Sequence, residues 1–60
     1  MEITEIEMFA DGILRKHHGN WMRAIQYLEH CIRVCDFNGN IERRDEFATV
    51  RDFIVKNHQE

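Results

Sequence analysis

The sequence has no proline, no serine and only three glycines. Without proline, breaks between helices must come from glycine and asparagine, which both favour turns. Such residues cluster at two places, His18-Gly19-Asn20 and Asn38-Gly39-Asn40. The two clusters therefore predict turns that divide the chain into three segments.

Groups that carry out catalysis are also scarce. The side-chain hydroxyls of the serine type are those of Thr4 and Thr49, and no glycine-rich phosphate loop is present. His30 and Cys31 are adjacent in sequence, and neighbours on a helix point about 100° apart, so the two do not face each other. We therefore expect no enzyme activity, no catalytic residue and no cofactor.

Long apolar runs are missing as well. A membrane span needs roughly 20 apolar residues in a row, so we expect no membrane-spanning helix. Met1 is followed directly by the acidic Glu2 rather than by a basic leader and an apolar stretch. The chain is 43% hydrophobic and 32% charged, a balance typical of globular proteins. We expect a single soluble, cytoplasmic domain over residues 1–60.

The spacing of apolar residues favours helices over strands. Residues three and four apart form one stripe in each of the first two segments, and two stripes in the third. We expect an all-α domain of three helices, over about residues 4–18, 20–36 and 40–57. The stripes are Ile6, Phe9, Ala10, Ile13, Leu14 and His17, then Trp21, Ala24, Ile25, Leu28, Cys31, Ile32 and Cys35, and finally Phe47, Val50 and Ile54 beside Ile41, Ala48 and Val55.

Particular residues are expected to cap these helices. Thr4 and Glu7 have the spacing of a capping box, which predicts that Thr4 begins the first helix. Gly19 is expected to end that helix, because glycine adopts left-handed backbone angles at low cost. Asn20 and Asn40 are expected to cap the second and third helices through their side-chain oxygens.

The apolar stripes are wider than a small bundle requires. Tyr27 and Val34 widen the stripe of the second helix, and the third helix has two apolar faces. A 60-residue chain has a marginal core, so two copies that share these faces would gain stability. We therefore expect a helical homodimer that acts as a protein-protein interaction or regulatory module. Proteins of this size class are common among the accessory proteins of phages and mobile elements.

Several residues are candidates for the dimer or partner surface. The large apolar side chains that lie off the core stripes, Met8, Met22 and Phe37, are candidates because exposed apolar groups often mark contacts. The principal set is Trp21, Tyr27, Val34, Phe47, Val50, Phe53 and Ile54.

Charge distribution suggests an alternative function. The net charge is −3, but residues 12–35 carry four basic residues against one acid. The segment from Gly19 to Leu28 resembles the opening of a Fis-like helix-turn-helix, and also the second helix of a tetratricopeptide repeat. The first resemblance implies nucleic-acid binding, which an acidic chain disfavours. Its candidate contacts are Arg15, Lys16, His18 and Arg23.

Two further patterns suggest metal binding. Residues 36–47 resemble the calcium loop of an EF-hand, but Ile41 stands after Asn40 where a turn glycine is needed, so an Asn-Gly turn is the preferred interpretation. Cys31 and Cys35 are one helical turn apart and can share a metal with His17 or His58. Because both cysteines lie in an apolar stripe, we expect them to be core residues, with no metal site and no disulfide.

Overall fold

The computed structural model describes residues 2–58, which form three α-helices and no strand. Helix α1 spans Ile3–Lys16, α2 spans Trp21–Phe37 and α3 spans Ile41–Asn57. The predicted all-α class is confirmed, and each predicted helix boundary lies within two residues of the observed one. No helix in this part of the chain is long and apolar enough to cross a membrane.

The start of α1 differs from the prediction. Glu2 is the N-cap residue in extended conformation, and no side chain bonds the free amides there. Thr4 already lies inside the first turn of the helix, so the capping box with Glu7 does not form. The helix instead begins through backbone geometry, because the Ile6 N–H donates to the Glu2 carbonyl at 3.0 Å.

In the first turn two residues, rather than Gly19 alone, adopt left-handed backbone angles. His18 has φ 58° and Gly19 has φ 78°. The His18 N–H donates to the Arg15 carbonyl at 3.1 Å, and the Gly19 N–H donates to Leu14 at 2.8 Å. This pairing is a Schellman motif in which His18, not Gly19, takes the position next to the cap. Asn20 then caps α2 as predicted, accepting from the Arg23 N–H at 3.1 Å.

The second turn confirms the Asn-Gly interpretation of residues 36–47. Gly39 has φ 75°, and the Asn40 N–H donates to the Cys35 carbonyl at 2.8 Å. The Asn40 side chain accepts from the Arg43 N–H at 3.3 Å and so caps α3. Because residues from Ile41 onward are helical, no calcium loop of the EF-hand type forms in this segment.

Helix α3 packs against both other helices. Its contact with α2 is the most extensive, its contact with α1 is smaller, and α1 touches α2 little. The two apolar faces predicted for α3 thus have both neighbours within one chain. Among the described residues the buried core consists of Ile6, Ala10, Ala24, Leu28, Val50 and Ile54.

Two predicted surface residues need correction. Val50 is 0% exposed and Ile54 is 1% exposed, so both pack inside a single chain and are not available to a partner. Phe53 is half-buried and packs against the same core. Apart from Ile41, the apolar side chains predicted to stripe α3 are therefore at least partly buried within the chain, and most of the exposed large apolar side chains lie on α2.

Candidate functional site

An open groove of about 370 Å³ lies along the C-terminal half of α2. Five of its lining residues come from α2 and one, Phe47, comes from the first half of α3. They are Tyr27, His30, Cys31, Val34, Cys35 and Phe47. None of them is an acid, a lysine or an arginine, so the groove is a largely apolar surface.

Helical spacing brings these side chains together. Residues 27, 31 and 34 follow one another at intervals of four and three, and residue 35 lies four after residue 31, which places all four on one side of α2. Phe47 is fixed by α1, because its ring meets that of Phe9 edge-on with centroids 5.9 Å apart. The groove wall from α3 is therefore held in place by a helix that hardly touches α2.

The thiols are the most reactive groups of the groove. Cys31 and Cys35 are both free and half-buried, and neither belongs to the fully buried core. The expectation that they are core residues is thus met only in part, because both are half-buried and both line the groove. In residues 2–58 no group of three or more His, Cys, Asp or Glu side chains could hold a metal ion.

Tyr27 connects the groove to the end of α1. A hydrogen bond with Cys31 raises the pKa of Tyr27, and the charge of the Cys31 thiolate and burial raise it further. On its other side the ring lies 5.3 Å from that of His17, tilted by 48°. The Lys16 ammonium lies 5.2 Å from the centre of the Tyr27 ring, within the range of a cation-π contact.

His17 leaves one polar atom without a hydrogen bond. Its Nε2 is buried and has no partner within the described part of the chain. The His17 ring lies on the apolar stripe predicted for α1 and packs on the ring of Tyr27.

The remaining predicted partner residues are on the surface or close to it. Trp21 is 39% exposed, and its ring stacks on His58 with centroids 5.9 Å apart and planes 4° from parallel. Val34 is 44% exposed at the groove, and Phe37, one turn farther along α2, is 92% exposed. The Trp21 ring thus already contacts His58, the residue after α3, whereas Val34 and Phe37 are exposed and can contact a partner.

Sequence reasoning missed part of this site. It placed Cys31 and Cys35 in the core, and it did not identify the groove. The groove could have been suspected from the spacing of Tyr27, Cys31 and Val34, which places all three side chains on one side of α2. Met8 and Met22 are exposed as expected, and Ile3 and Ile41 are exposed as well.

The candidate nucleic-acid residues surround the first turn. Arg15, Lys16, His18 and Arg23 are all exposed. Arg15 forms an ion pair with Asp11 one turn earlier at 3.0 Å, which offsets part of its charge. These four basic side chains are therefore accessible to a ligand, but the charge of Arg15 is already paired with that of Asp11.

Comparison with known proteins gives no relative for this chain. Neither a family model nor a curated protein nor a solved structure matches it.

Proposed function

We propose that this chain is a non-enzymatic protein-protein interaction module that acts as a helical homodimer. The observation that supports this proposal is the apolar groove on α2, with Val34 and Phe37 exposed beside it. The centre of a protein interface is poor in charged residues and rich in aromatic ones. The groove has that composition, since its lining combines two aromatic rings, two thiols, one histidine and a valine.

A second copy suits this face in size. A standard interface takes about 800 Å² from each partner, or about a sixth of the 4630 Å² that this chain exposes. The apolar surface available for it includes the groove and the exposed Val34 and Phe37 of α2. Two-fold symmetry is the commonest arrangement of soluble oligomers, and it uses the same patch on both copies.

The groove also favours a particular orientation. If two α2 helices pair in antiparallel fashion about a two-fold axis between His30 and Val34, at the exposed edge of the groove, Phe37 of each copy approaches the Tyr27 end of the other copy's groove. Phe37 is the most exposed of the large apolar residues described, and the groove is concave. A protruding ring and a concave surface on the same helix are the self-complementary pair that a two-fold contact needs.

Sedimentation equilibrium over a concentration series tests the dimer. We expect the reduced protein to approach twice the monomer mass of 7.3 kDa as the concentration rises. Val34→Glu should weaken the dimer at least about tenfold, because it places a carboxylate in the contact. Met22→Glu is the matched control, since Met22 is 58% exposed on the same helix but does not line the groove.

Two results would contradict the proposal. A monomer at all concentrations would exclude the homodimer. Dissociation by Met22→Glu but not by Val34→Glu would place the contact away from the groove.

Nucleic-acid binding is the alternative proposal, and the exposed Lys16, His18 and Arg23 support it. A gel-shift experiment with duplex DNA over a salt series separates the two. Binding through phosphates would weaken steeply as salt rises, and Arg23→Ala would weaken it further. No shift at low salt would exclude this alternative.

A further inference from the structure

We propose that His30 makes the homodimer sensitive to acid, because its imidazole is neutral in the dimer and its protonation drives the two copies apart. The inference rests on the proposed homodimer and adds a means of controlling it.

His30 is the groove residue whose type changes charge near neutral pH. It is exposed, and it lines the groove together with Val34, one helical turn later. A histidine ordinarily gains its charge as the pH falls through about 6.5, whereas cysteine and tyrosine lose their protons only above about pH 8. Mild acid therefore adds charge to this surface through one side chain.

The two-fold contact removes this imidazole from water. The axis between His30 and Val34 places His30 of each copy opposite Val34 of the other, with the two imidazoles on either side of the axis. Each ring then faces a surface whose lining has no acid, lysine or arginine. Because such a surface replaces water without stabilising a positive charge, it favours the neutral imidazole.

No carboxylate on α2 is placed to hold the added proton. The neighbours of His30 one turn away on this helix are one cation and three uncharged residues, Arg33, Gln26, Tyr27 and Val34. Glu29 is adjacent in sequence and therefore points about 100° away from His30. Asp36 is already paired with Arg44, with Oδ1 and Nη1 2.8 Å apart.

The other two helices supply no acid to this surface either. Phe47 is the residue that α3 contributes to the groove lining. From α1 the charged group at the groove is the Lys16 ammonium, 5.2 Å from the centre of the Tyr27 ring. A second copy brings the same residues by symmetry, so a protonated His30 meets further positive charge and apolar side chains.

Dissociation of the dimer therefore takes up protons. The dimer holds two neutral imidazoles, and in acid each separated copy binds one proton from the buffer. The affinity between the copies is complete above about pH 6.5, the ordinary histidine value, and is lost as the pH falls below it. For two such groups, the dissociation constant rises by at most about 100-fold between about pH 7.5 and about pH 5.5.

Sedimentation equilibrium of the full chain, reduced and at constant ionic strength, measures this constant at the two pH values. We expect it to rise by about 10- to 100-fold at the lower pH. His30→Gln cannot gain a proton and should have the same constant at both. His30→Lys is positive at both, and should dissociate at the higher pH about as readily as the unmodified chain does at the lower one.

His18→Asn is the matched control and should keep the full response to acid. His18 is exposed outside the groove lining, and asparagine tolerates its left-handed backbone angles. Far-ultraviolet circular dichroism at both pH values checks that each chain stays helical. His30→Ala serves as a second uncharged variant if His30→Gln does not fold.

Three results would overturn the role of His30. They are a dimer equally tight at both pH values, an acid response that persists in His30→Gln, and loss of helix in the unmodified chain at the lower pH. Each of them leaves the homodimer at the higher pH intact. A chain that is monomeric at both pH values would instead contradict the proposed function itself.

Discussion

Backbone angles at single residues set the two turns. Gly39 has φ 75°, and a Cβ atom built there would meet nothing within 4 Å. Any cost of a side chain at this position therefore comes from the left-handed conformation itself. Gly12, by contrast, lies within α1 at ordinary helical angles, and a Cβ atom there also has open space.

Alanine at these two glycines should have opposite effects. We expect Gly39→Ala to lower the free energy of unfolding by about 1 kcal/mol, because left-handed angles disfavour a residue with a Cβ atom. Gly12→Ala should raise it by about 1 kcal/mol, the difference in helix propensity. Urea denaturation followed by circular dichroism measures both, and equal effects of the same sign would contradict the assignment.

The titration of the Tyr27 hydroxyl tests its contact with Cys31 in the groove. It is the sole tyrosine of the sequence, so tyrosinate absorbance reports on this residue alone. Because the hydrogen bond with Cys31 raises the pKa of Tyr27, the titration midpoint should lie above the ordinary value of 10.0. Cys31→Ala should return it toward that value. A midpoint that Cys31→Ala leaves unchanged would show that the contact is not made.

The same shift has a defined effect on stability. Tyr27 binds its proton more tightly in the folded chain, since its folded pKa is raised. Its stabilising contribution is therefore complete below pH 10, the ordinary value, and is lost as the pH rises through the raised pKa. Denaturation midpoints measured between pH 9 and 12 should show this loss, and Cys31→Ala should reduce it.

The sequence predicts the structural role of some of these residues better than that of others. Asn20 and Asn40 could be identified as caps because a side-chain oxygen reaches an amide three residues ahead within one local segment. Thr4 has the same local pattern but lies one residue inside the helix, because α1 begins earlier through backbone bonds. The groove could not be predicted, since it depends on how α3 packs beside α2.

At the level of the helices, the asparagine caps of α2 and α3 should each stabilise the fold. Asn20→Ala and Asn40→Ala each remove the acceptor for one helix amide, and we expect each to lower the free energy of unfolding by about 1 kcal/mol. Asn38→Ala is the control, because Asn38 has right-handed angles of φ −81° and ψ −3° that alanine also adopts. A loss in Asn38→Ala as large as in the cap variants would contradict this role.

Helix α1 is the least anchored element, because it packs mainly on α3 and touches α2 little. Local opening follows the extent of packing, so α1 should open more often than the α2–α3 pair. Amide hydrogen exchange should therefore be faster in the middle of α1 than in the middle of α3. Ile6→Ala should accelerate exchange in α1 first, whereas Val50→Ala should accelerate it in all three helices.

For α3, periodicity predicts two apolar faces but does not show which neighbour covers each. Val50 and Ile54 were expected on a partner surface, yet α1 and α2 enclose them within one chain. A stripe identifies the buried side of a helix from local spacing. The neighbour that covers it depends on the angles between helices, which the two short turns determine.

For the whole molecule, stability depends on very few side chains. Leu28 is 0% exposed and lies in a core whose described members are six in number. We expect Leu28→Ala to lower the free energy of unfolding by about 2–5 kcal/mol, comparable with the total for a domain of this size. Circular dichroism at 25 °C should then show a largely unfolded chain. Met22→Ala, at a site that is 58% exposed, should stay folded.

The stack of Trp21 on His58 gives the protein an internal optical probe. Trp21 is the sole tryptophan, and the imidazole beside it belongs to the residue that follows α3. The emission of an indole depends on the groups in contact with its ring, so the emission intensity reports whether the end of α3 rests on the start of α2. Unfolding titrations can thus be followed without a dye, with His58→Ala as the reference that lacks the stack.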